Sequence, residues 1–223
     1  MASYRGFFVI DDSGREQVVD KAYDLTLSQT TSINTVGKDN ALFYDKVIAL
    51  EPTSSQKIGV GWYYSPPSGS DNANPNGIQP VRGVGKVHSF KFGSSINTGN
   101  FGLEVYDSNG VATFSTSARS IDIIDVIYIP DWNAAMNSNG NDIVFSRSYP
   151  SKKVAVILAG VPSKPVAGSS GIANLATIGF HKSGDLLVGS LFVSAEGLPN
   201  AGAPTWDKKD ALFLVIDATN FER

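Results

Sequence analysis

The hydrophobic residues of this chain fall in short runs, and residues that favour turns bound each run. The runs are rich in Val, Ile, Phe and Tyr, and apolar and polar positions alternate within several of them. Such alternation is typical of strands that bury one face, and helical periodicity is scarce. The pattern predicts an all-β chain with strands at 5–10, 16–20, 23–30, 43–50, 57–64, 85–92, 101–106, 111–115, 119–129, 142–147, 153–160, 175–181, 185–194 and 211–217.

Three pairs of these strands are predicted to form hairpins. The stretches VIDDSGREQVV, VYDSNGVATF and GFHKSGDLLVG each place an Asp, Ser or Asn beside a Gly between two apolar runs. Tight hairpin turns need positive φ angles, which Gly and Asn adopt most readily. The third turn is expected at Ser183 and Gly184.

The first of these stretches recurs 96 residues later in the chain, because GFFVIDDSG begins at Gly6 and GLEVYDSNG at Gly102. Two further segments match at the same offset: 45–50 with 141–146, and 54–62 with 150–158. A constant offset in three segments, in the same order, indicates an internal duplication, whereas generic β composition is the alternative explanation. The residues expected to be buried in the matched strands are Val9, Ile58, Val60, Val105, Val154 and Val156.

The duplication predicts two related antiparallel β-sandwich-type units. The N-terminal unit spans 1–93, a polar linker of turn-forming residues spans 94–99, and the C-terminal unit spans 100–223. Two such units can form separate domains or share one continuous sheet, and the sequence leaves both arrangements open.

Composition excludes several classes of protein. The chain has 223 residues and no Cys, so disulfide scaffolds, thiolate metal sites and Cys nucleophiles are excluded. A net charge of -3 and a pI of about 5.3 argue against nucleic-acid binding, which favours a basic surface. No apolar run is long enough for a membrane helix, and the N-terminus lacks the apolar core of a signal peptide. We therefore expect no membrane insertion, no export signal and synthesis in the cytoplasm.

Residue patterns for catalysis or metal binding are poor. The two His residues, His88 and His181, have no acidic or Cys cluster beside them in the sequence, so a structural role in a strand is the preferred interpretation for each. Neither a nucleophile elbow nor a phosphate-binding loop is present. The stretch NANPNG at 72–77 resembles the start of a calcium loop but has too few carboxylates. We expect no enzyme activity, no catalytic residue, no cofactor and no metal.

One stretch resembles a known family. NFGLEVYDSNGVATFSTSAR at 100–119 is similar to the start of small tail proteins of tailed bacteriophages, which open with Gly-Leu-x-Val-Tyr/Phe, a tight turn, an apolar strand and Ser-x-Arg. The motif departs from the family at Ser115, where Asp is usual, and it lies in mid-chain. The matching positions are Gly102, Leu103, Val105, Tyr106, Gly110, Phe114, Ser117 and Arg119.

The resemblance implies a structural virion protein of the phage tail, at the tail tip, baseplate or fibre, that acts in assembly or host attachment. Its partners would be other phage tail proteins and further copies of itself in a ring or trimer, because tails have rotational symmetry. Its location would be the virion tail.

Three long stretches without strand periodicity are predicted to be loops, at 63–85, 129–142 and 194–210. Aromatic residues lie in or beside them, and aromatics beside Asn and Asp are common in sugar-binding surfaces. The alternative function is therefore a carbohydrate- or receptor-binding module that contacts host surface glycan. For each aromatic, packing at the open end of a sandwich is the preferred interpretation. The candidate contact residues are Trp62, Tyr63, Tyr64, Trp132 and Trp206.

Overall fold

The structure is a computed structural model of the full chain. It describes residues 8–10, 16–18, 25–35, 41–43, 47–60, 79–92, 104–106, 112–115, 121–139, 142–160, 164–167, 172–199 and 209–221. Nearly all of these residues lie in antiparallel strands, so the predicted all-β class is confirmed.

The strands follow the predicted pattern closely. The first half contains β1 (Phe8–Ile10), β2 (Glu16–Val18), β3 (Leu25–Thr35), β4 (Ala41–Phe43), β5 (Val47–Glu51), β6 (Ile58–Val60) and β7 (Gln79–Phe92). The second half contains β8 (Glu104–Tyr106), β9 (Ala112–Ser115), β10 (Ile123–Ile129), α1 (Trp132–Asn139), β11 (Ile143–Ser148), β12 (Val154–Gly160), β13 (Lys164–Ala167), β14 (Ile172–Ser183), β15 (Leu186–Pro199) and β16 (Ala211–Asp217). The sequence pattern missed the short strands β4 and β13 and the helix.

Twelve of the strands form one sheet. Its main path runs β10-β16-β12-β5-β7-β6-β14-β15-β11, while β13 pairs with β14, and β3 and β4 pair with β7. Strands from the first half of the chain, β5 to β7, therefore lie between strands from the second half. Both halves of the chain contribute strands to this large sheet, while β1–β2 and β8–β9 each form a separate two-stranded sheet.

The compact units interleave along the chain. One comprises residues 1–28 and 90–121, and the other comprises residues 29–89 and 122–223. The predicted linker at 94–99 lies outside the described residues, and the predicted sequential division stays a prediction.

The predicted hairpins form. β1 pairs with β2, β8 with β9, and β14 with β15, all antiparallel. In the third hairpin, Ser183 pairs with Leu186 around Gly184, whose φ is 61°. The turn therefore centres on Gly184 and Asp185, one residue later than predicted.

Elements recur at the predicted offset. The starts of β1, β2, β5 and β6 lie 96 residues before those of β8, β9, β11 and β12. Of the matched residues, Ile58, Val154 and Val156 are buried as expected and Val60 is half-buried. The sheet partners differ, however, because β5 pairs with β12 and β7, whereas β11 pairs with β15. The side chains of Val9 and Val105 lie outside the described part, and the duplication stays a prediction.

The main core lies on one face of the sheet. Aromatic rings form its centre. The Phe180 ring lies edge-to-face on the Phe213 ring, with centroids 5.2 Å apart, and the centroid of the Phe145 ring lies 5.9 Å from that of Phe213. Because strands alternate, the core draws every second residue from each strand. From β16 it takes Ala211, Phe213 and Val215, and from the neighbouring strands Ile127, Ile129, Val154, Val156, Ile48 and Leu50.

All three predicted long loops contain some regular structure. The stretch 129–142 holds α1, which begins after Asp131, whose carboxylate accepts a hydrogen bond from the Ala134 N–H at 3.0 Å. An Asp at this position satisfies a free N–H of the first turn. The end of the first loop, at 79–85, belongs to β7, and the start of the third, at 194–199, belongs to β15.

Candidate functional site: the outer face of the sheet

The face of the sheet opposite the core, which we call the outer face, carries two contrasting groups of side chains. On β5, Ile48 and Leu50 point to the core, so Ala49 and Glu51 point away from it. On β7, His88 points away in the same manner, because Val87 belongs to the core. Strand alternation therefore places Glu51 and His88 on the outer faces of adjacent strands.

The first group is a chain of hydrogen bonds among three polar side chains, Thr30, His88 and Glu51, which we call the polar chain. His88 Nε2 lies 2.7 Å from Glu51 Oε2, and His88 Nδ1 lies 2.9 Å from Thr30 Oγ1. His88 is fully buried and Glu51 is 5% exposed, whereas Thr30 on β3 is half-buried. Both ring nitrogens therefore have partners, as a buried imidazole requires.

The hydrogen-bond roles in the polar chain follow from the carboxylate. An ionised Glu51 can only accept, so His88 donates from Nε2. In the neutral ring, Nδ1 then accepts the Thr30 hydroxyl proton, and in the protonated ring it donates to the Thr30 oxygen. Hydroxyl, imidazole and carboxylate in series also occur in hydrolases, but here the imidazole is fully buried. The polar chain therefore supports a structural interpretation.

A turn at the end of the described chain covers His88. The Phe221 ring meets His88 edge-on, with centroids 5.0 Å apart, and Phe221 is itself buried. The turn is held in place because Ala218 N–H donates to Lys153 O at 2.8 Å and Lys153 N–H donates to Thr219 Oγ1 at 3.2 Å. Thus the backbone of Lys153, just before β12, anchors the turn that places Phe221 over the imidazole.

This environment corrects one part of the sequence interpretation. His88 was predicted to be a strand residue with a structural role, which fits its position, but no carboxylate was expected near it. Glu51 lies 37 residues away in the chain. A possible signal was the apolar run VIAL followed by Glu51, because a charged residue continuing a buried strand requires a partner.

The second group on the outer face is apolar and extends across three neighbouring strands. Val126 on β10 pairs with Leu214 on β16, and Leu214 pairs with Ile157 on β12. In the next row, Tyr128 pairs with Leu212. We call the set of Val126, Tyr128, Leu212, Leu214 and Ile157 the apolar strip.

The apolar strip is open to solvent on its β10 side. Val126 is 56% exposed and Tyr128 is 62% exposed, while Leu212, Leu214 and Ile157 are half-buried. Beyond Ile157 the same face becomes fully buried at Ala49, its partner on β5. Exposure therefore decreases from β10 towards the polar chain.

Side chains occupy the free edge of β10. Asp125 Oδ1 accepts the Val126 N–H at 2.7 Å, and Asp125 Oδ2 accepts the hydroxyl proton of Tyr149 at 2.6 Å. Burial, followed by this hydrogen bond, raises the pKa of Tyr149 above its usual range. Because Tyr149 follows β11, the two end strands of the sheet path are linked through side chains.

An ion pair lies at the end of β16. Lys152 Nζ donates to Asp217 Oδ2 at 2.5 Å, and Thr219 N–H donates to Asp217 Oδ1 at 2.9 Å. Desolvation acts to raise the pKa of Asp217, but the hydrogen bonds from Lys152 and Thr219 outweigh it and lower that pKa to about 2. The Asp217 hydrogen bond raises the pKa of Lys152.

The predicted aromatic contact residues can be assessed at one position. Trp132 is fully buried in the core, which fits the preferred interpretation of packing and not the candidate contact role. It enters the core because α1 starts there and packs against β11. The other four candidates, Trp62, Tyr63, Tyr64 and Trp206, lie outside the described residues.

The second histidine has a separate environment. His181 Nδ1 lies 3.5 Å from the hydroxyl of the buried Ser190. Burial, and then the charge of Lys57, lowers the pKa of His181. Lys57 Nζ is itself bonded to the Leu191 carbonyl at 2.8 Å. These contacts fit a structural role in the β14–β15 hairpin.

Within the described ranges, no three His, Cys, Asp or Glu side chains are grouped in a way that could hold a metal ion. The single described helix, α1, has eight residues and is too short to cross a membrane. Comparison of the chain with protein families, with curated proteins and with solved structures finds no match.

Proposed function

We propose that this chain is a structural virion protein of a bacteriophage tail, located at the tail tip, baseplate or fibre. The observation that carries the proposal is the motif at 100–119. Its central part folds as the β8–β9 hairpin, in which Val105 pairs with Phe114. This pairing supports the strand–turn–strand organisation that the tail-protein resemblance implies.

The described geometry favours assembly over catalysis. The polar chain is buried beneath Phe221, and the most exposed apolar surface lies on a strand of the large sheet. Exposed apolar patches on a folded domain are typical of protein interfaces. The function proposed is therefore to bind neighbouring tail proteins and to position them for host attachment.

Particle composition tests this function. Phage particles are purified from a lysed host culture in which the chain carries an epitope tag, and they are analysed by quantitative mass spectrometry and immunogold electron microscopy. We expect the chain at a fixed ratio to the tail-tube protein and gold label at one end of the tail. A chain found only in the soluble fraction would refute the proposal.

The alternative function is a carbohydrate- or receptor-binding module. Trp132 is a poor contact residue for it, because its side chain is buried in the core. Binding of the intact chain to host surface polysaccharide, measured with wild type and with Trp62→Ala, separates it from the tail function. Specific binding that Trp62→Ala abolishes, in a chain absent from particles, would replace the proposal with the alternative.

A further inference from the structure

An aromatic ring lies flat on the outer face of the sheet, at a place distinct from the apolar strip. Leu191 on β15 packs against the core, so Phe192 beside it points outward. A Cβ atom at Gly59 on β6 would lie 2.7 Å from Cδ1 of the Phe192 ring, and one at Gly179 on β14 would lie 2.8 Å from its Cγ. The ring therefore lies across these two strands, with one face against their backbones.

The opposite face of the ring is available to a ligand. Phe192 is half-buried, and the two glycines cover one of its faces. Its exposed area therefore belongs to the other face and to the ring edge. A ring that is already held flat is a preorganised stacking surface, because binding does not have to restrict its rotation.

An ammonium group lies beside this ring. Lys57 Nζ donates to the Leu191 carbonyl at 2.8 Å, next to Phe192 in the chain. This bond uses one of the three N–H donors of the ammonium group. The Asp142 carbonyl accepts the Leu191 N–H from nearby, but no carboxylate in the described ranges lies within ion-pair distance of Lys57. Two donors and the full charge of Lys57 are therefore left for a ligand.

An imidazole completes the group. The antiparallel pairing of β14 with β6 places His181 opposite Lys57 on the outer face. On its other side, β15 presents the uncharged Val188 and Ser190. His181 Nδ1 lies 3.5 Å from the buried Ser190 hydroxyl, a contact that orients the ring and directs Nε2 away from it. Burial, and then the charge of Lys57, lowers the pKa of His181, and an anion between the two groups would relieve this repulsion.

We propose that Lys57, His181 and Phe192 bind an acidic sugar, a polysaccharide residue that carries a carboxylate, and we call these three residues the acidic-sugar site. The apolar C–H face of the sugar stacks on the open face of the Phe192 ring. Its carboxylate accepts hydrogen bonds from Lys57 Nζ and His181 Nε2. The proposal goes beyond the tail function and does not depend on it.

The two parts of the site together select this ligand class. A simple anion uses Lys57 and His181 but has no use for a flat aromatic ring, whereas a neutral sugar uses the ring but not the charges. A sheet face covers only one side of a ligand, and small free ligands prefer concave pockets. The site therefore fits a residue of a polymer that runs across the surface, and an oligomer should bind more tightly than a single sugar.

NMR of the histidine side chains tests the proposal directly, because the chain has only two His residues. The imidazole nitrogens of the intact chain are followed in a pH titration with and without tetragalacturonic acid, an acidic oligosaccharide. A bound carboxylate stabilises the protonated ring, so the pKa of His181 should rise on binding. His88, which is buried beneath Phe221, is the internal control, and its signals should not respond to the sugar.

Calorimetric titration with the same oligosaccharide measures what each side chain contributes. Lys57→Met keeps the aliphatic stem without the charge, and Phe192→Leu keeps an apolar side chain without the flat ring. Each should weaken binding by roughly tenfold or more. Lys209→Met is the matched control, since it removes an exposed lysine before β16 and should bind as wild type does. Circular dichroism checks each fold, and His181→Gln, with an expected several-fold loss, replaces a variant that fails to fold.

Two further probes separate the charge from the sugar. Sodium acetate is used at the same carboxylate concentration, and maltotetraose serves as a neutral oligosaccharide. Acetate that raises the pKa of His181 as much as the acidic oligosaccharide would indicate a simple anion site and overturn the proposal. Equal affinity for maltotetraose, equal affinity of wild type and Lys57→Met, or no binding of tetragalacturonic acid would each overturn it as well.

The particle assay separates this proposal from the tail function. A chain that binds tetragalacturonic acid through Lys57 and Phe192 but is absent from particles would leave the acidic-sugar site valid and the tail function wrong. A chain that is present in particles but does not bind the oligosaccharide would leave the tail function valid and overturn the site.

Discussion

The polar chain and the apolar strip occupy the same face of one sheet, only a few strands apart, yet their exposures are opposite. The polar side chains His88 and Glu51 are buried, while the apolar side chains Val126 and Tyr128 are open to solvent. A folded domain ordinarily has the reverse arrangement. The boundary lies between Ile157, which is half-buried, and Ala49, which is fully buried.

This contrast shows how each half of the outer face is stabilised. The buried half tolerates charge because every polar atom of the imidazole has a partner and Phe221 covers the ring. The exposed half has no covering segment among the described residues, so its apolar side chains remain available for contact. Burial on this face therefore depends on what covers each strand and not on the alternation pattern alone.

Loss of the imidazole should have the largest effect on stability. His88→Ala leaves the Glu51 carboxylate buried without its partner, and the expected loss in the free energy of unfolding is about 3–5 kcal/mol. Urea denaturation followed by circular dichroism measures it. The double variant Glu51→Leu with His88→Leu should lose less than the sum of the two single variants, because no unpaired charge remains. Additive losses would show that the two side chains are not coupled.

Removal of the Thr30 hydroxyl should have a smaller effect. Thr30→Val keeps the side-chain shape but leaves His88 Nδ1 without its hydrogen bond, at an expected cost of about 1–2 kcal/mol. Thr31→Val, on the opposite face of β3, is the matched control. Equal losses in the two variants, measured in the same urea titration, would indicate a general effect of the strand and not of the polar chain.

The ion pair at the end of β16 should add a modest stability that depends on pH. The pKa of Asp217 is about 2 in the folded chain, against an ordinary value of 3.8. A carboxylate whose pKa is lowered on folding stabilises the fold at pH values above its ordinary pKa. This contribution is lost as the pH falls through the pKa of the folded chain. Asp217→Asn should therefore melt below wild type at neutral pH, and the difference should disappear as the pH falls from about 4 to about 2. A difference that persists at the lowest pH would contradict this assignment, and Asp210→Asn serves as an exposed control.

Truncation in the exposed half should have the smallest effect on the isolated chain. Tyr128→Ser removes a side chain that is mostly in solvent, so the free energy of unfolding should change by less than about 0.5 kcal/mol. Urea denaturation is carried out at a concentration low enough to keep the chain monomeric. A loss as large as that of His88→Ala would show that Tyr128 is covered in the folded monomer, and the comparison between the two halves would fail.

The local pattern predicted the strands with good accuracy. β16 has the bounds expected from alternation, β12 differs from the prediction by one residue at one end, and β11 differs by one residue at each end. Alternation is a property of neighbouring residues, so it can be recognised without knowing the fold. Helix α1 was missed because it lies in 129–142, which lacks strand periodicity and was predicted to be a loop, although Asp131 is a typical residue at a helix start.

The 96-residue offset shows the limit of local pattern. Ile48 and Val144 occupy matched positions and are both buried, but Glu51 is buried while its counterpart Arg147 is exposed. The difference arises because β5 lies between β12 and β7, whereas β11 ends the main path of the sheet. Segments with similar sequence patterns therefore have different environments, because different strands lie beside them.

The sequence by itself determined the all-β class, most strand positions, the three hairpins and the buried positions Ile58, Val154 and Val156 of β6 and β12. Each of these depends on alternation and turn residues within a few positions. Only the tertiary structure decided that the halves share one sheet, that Glu51 meets His88, that Trp132 lies in the core and that β10 exposes the apolar strip. Those features depend on which distant strands pair and on what covers each face. The sequence alone cannot decide them, because period-two alternation is the same for every choice of partner strand.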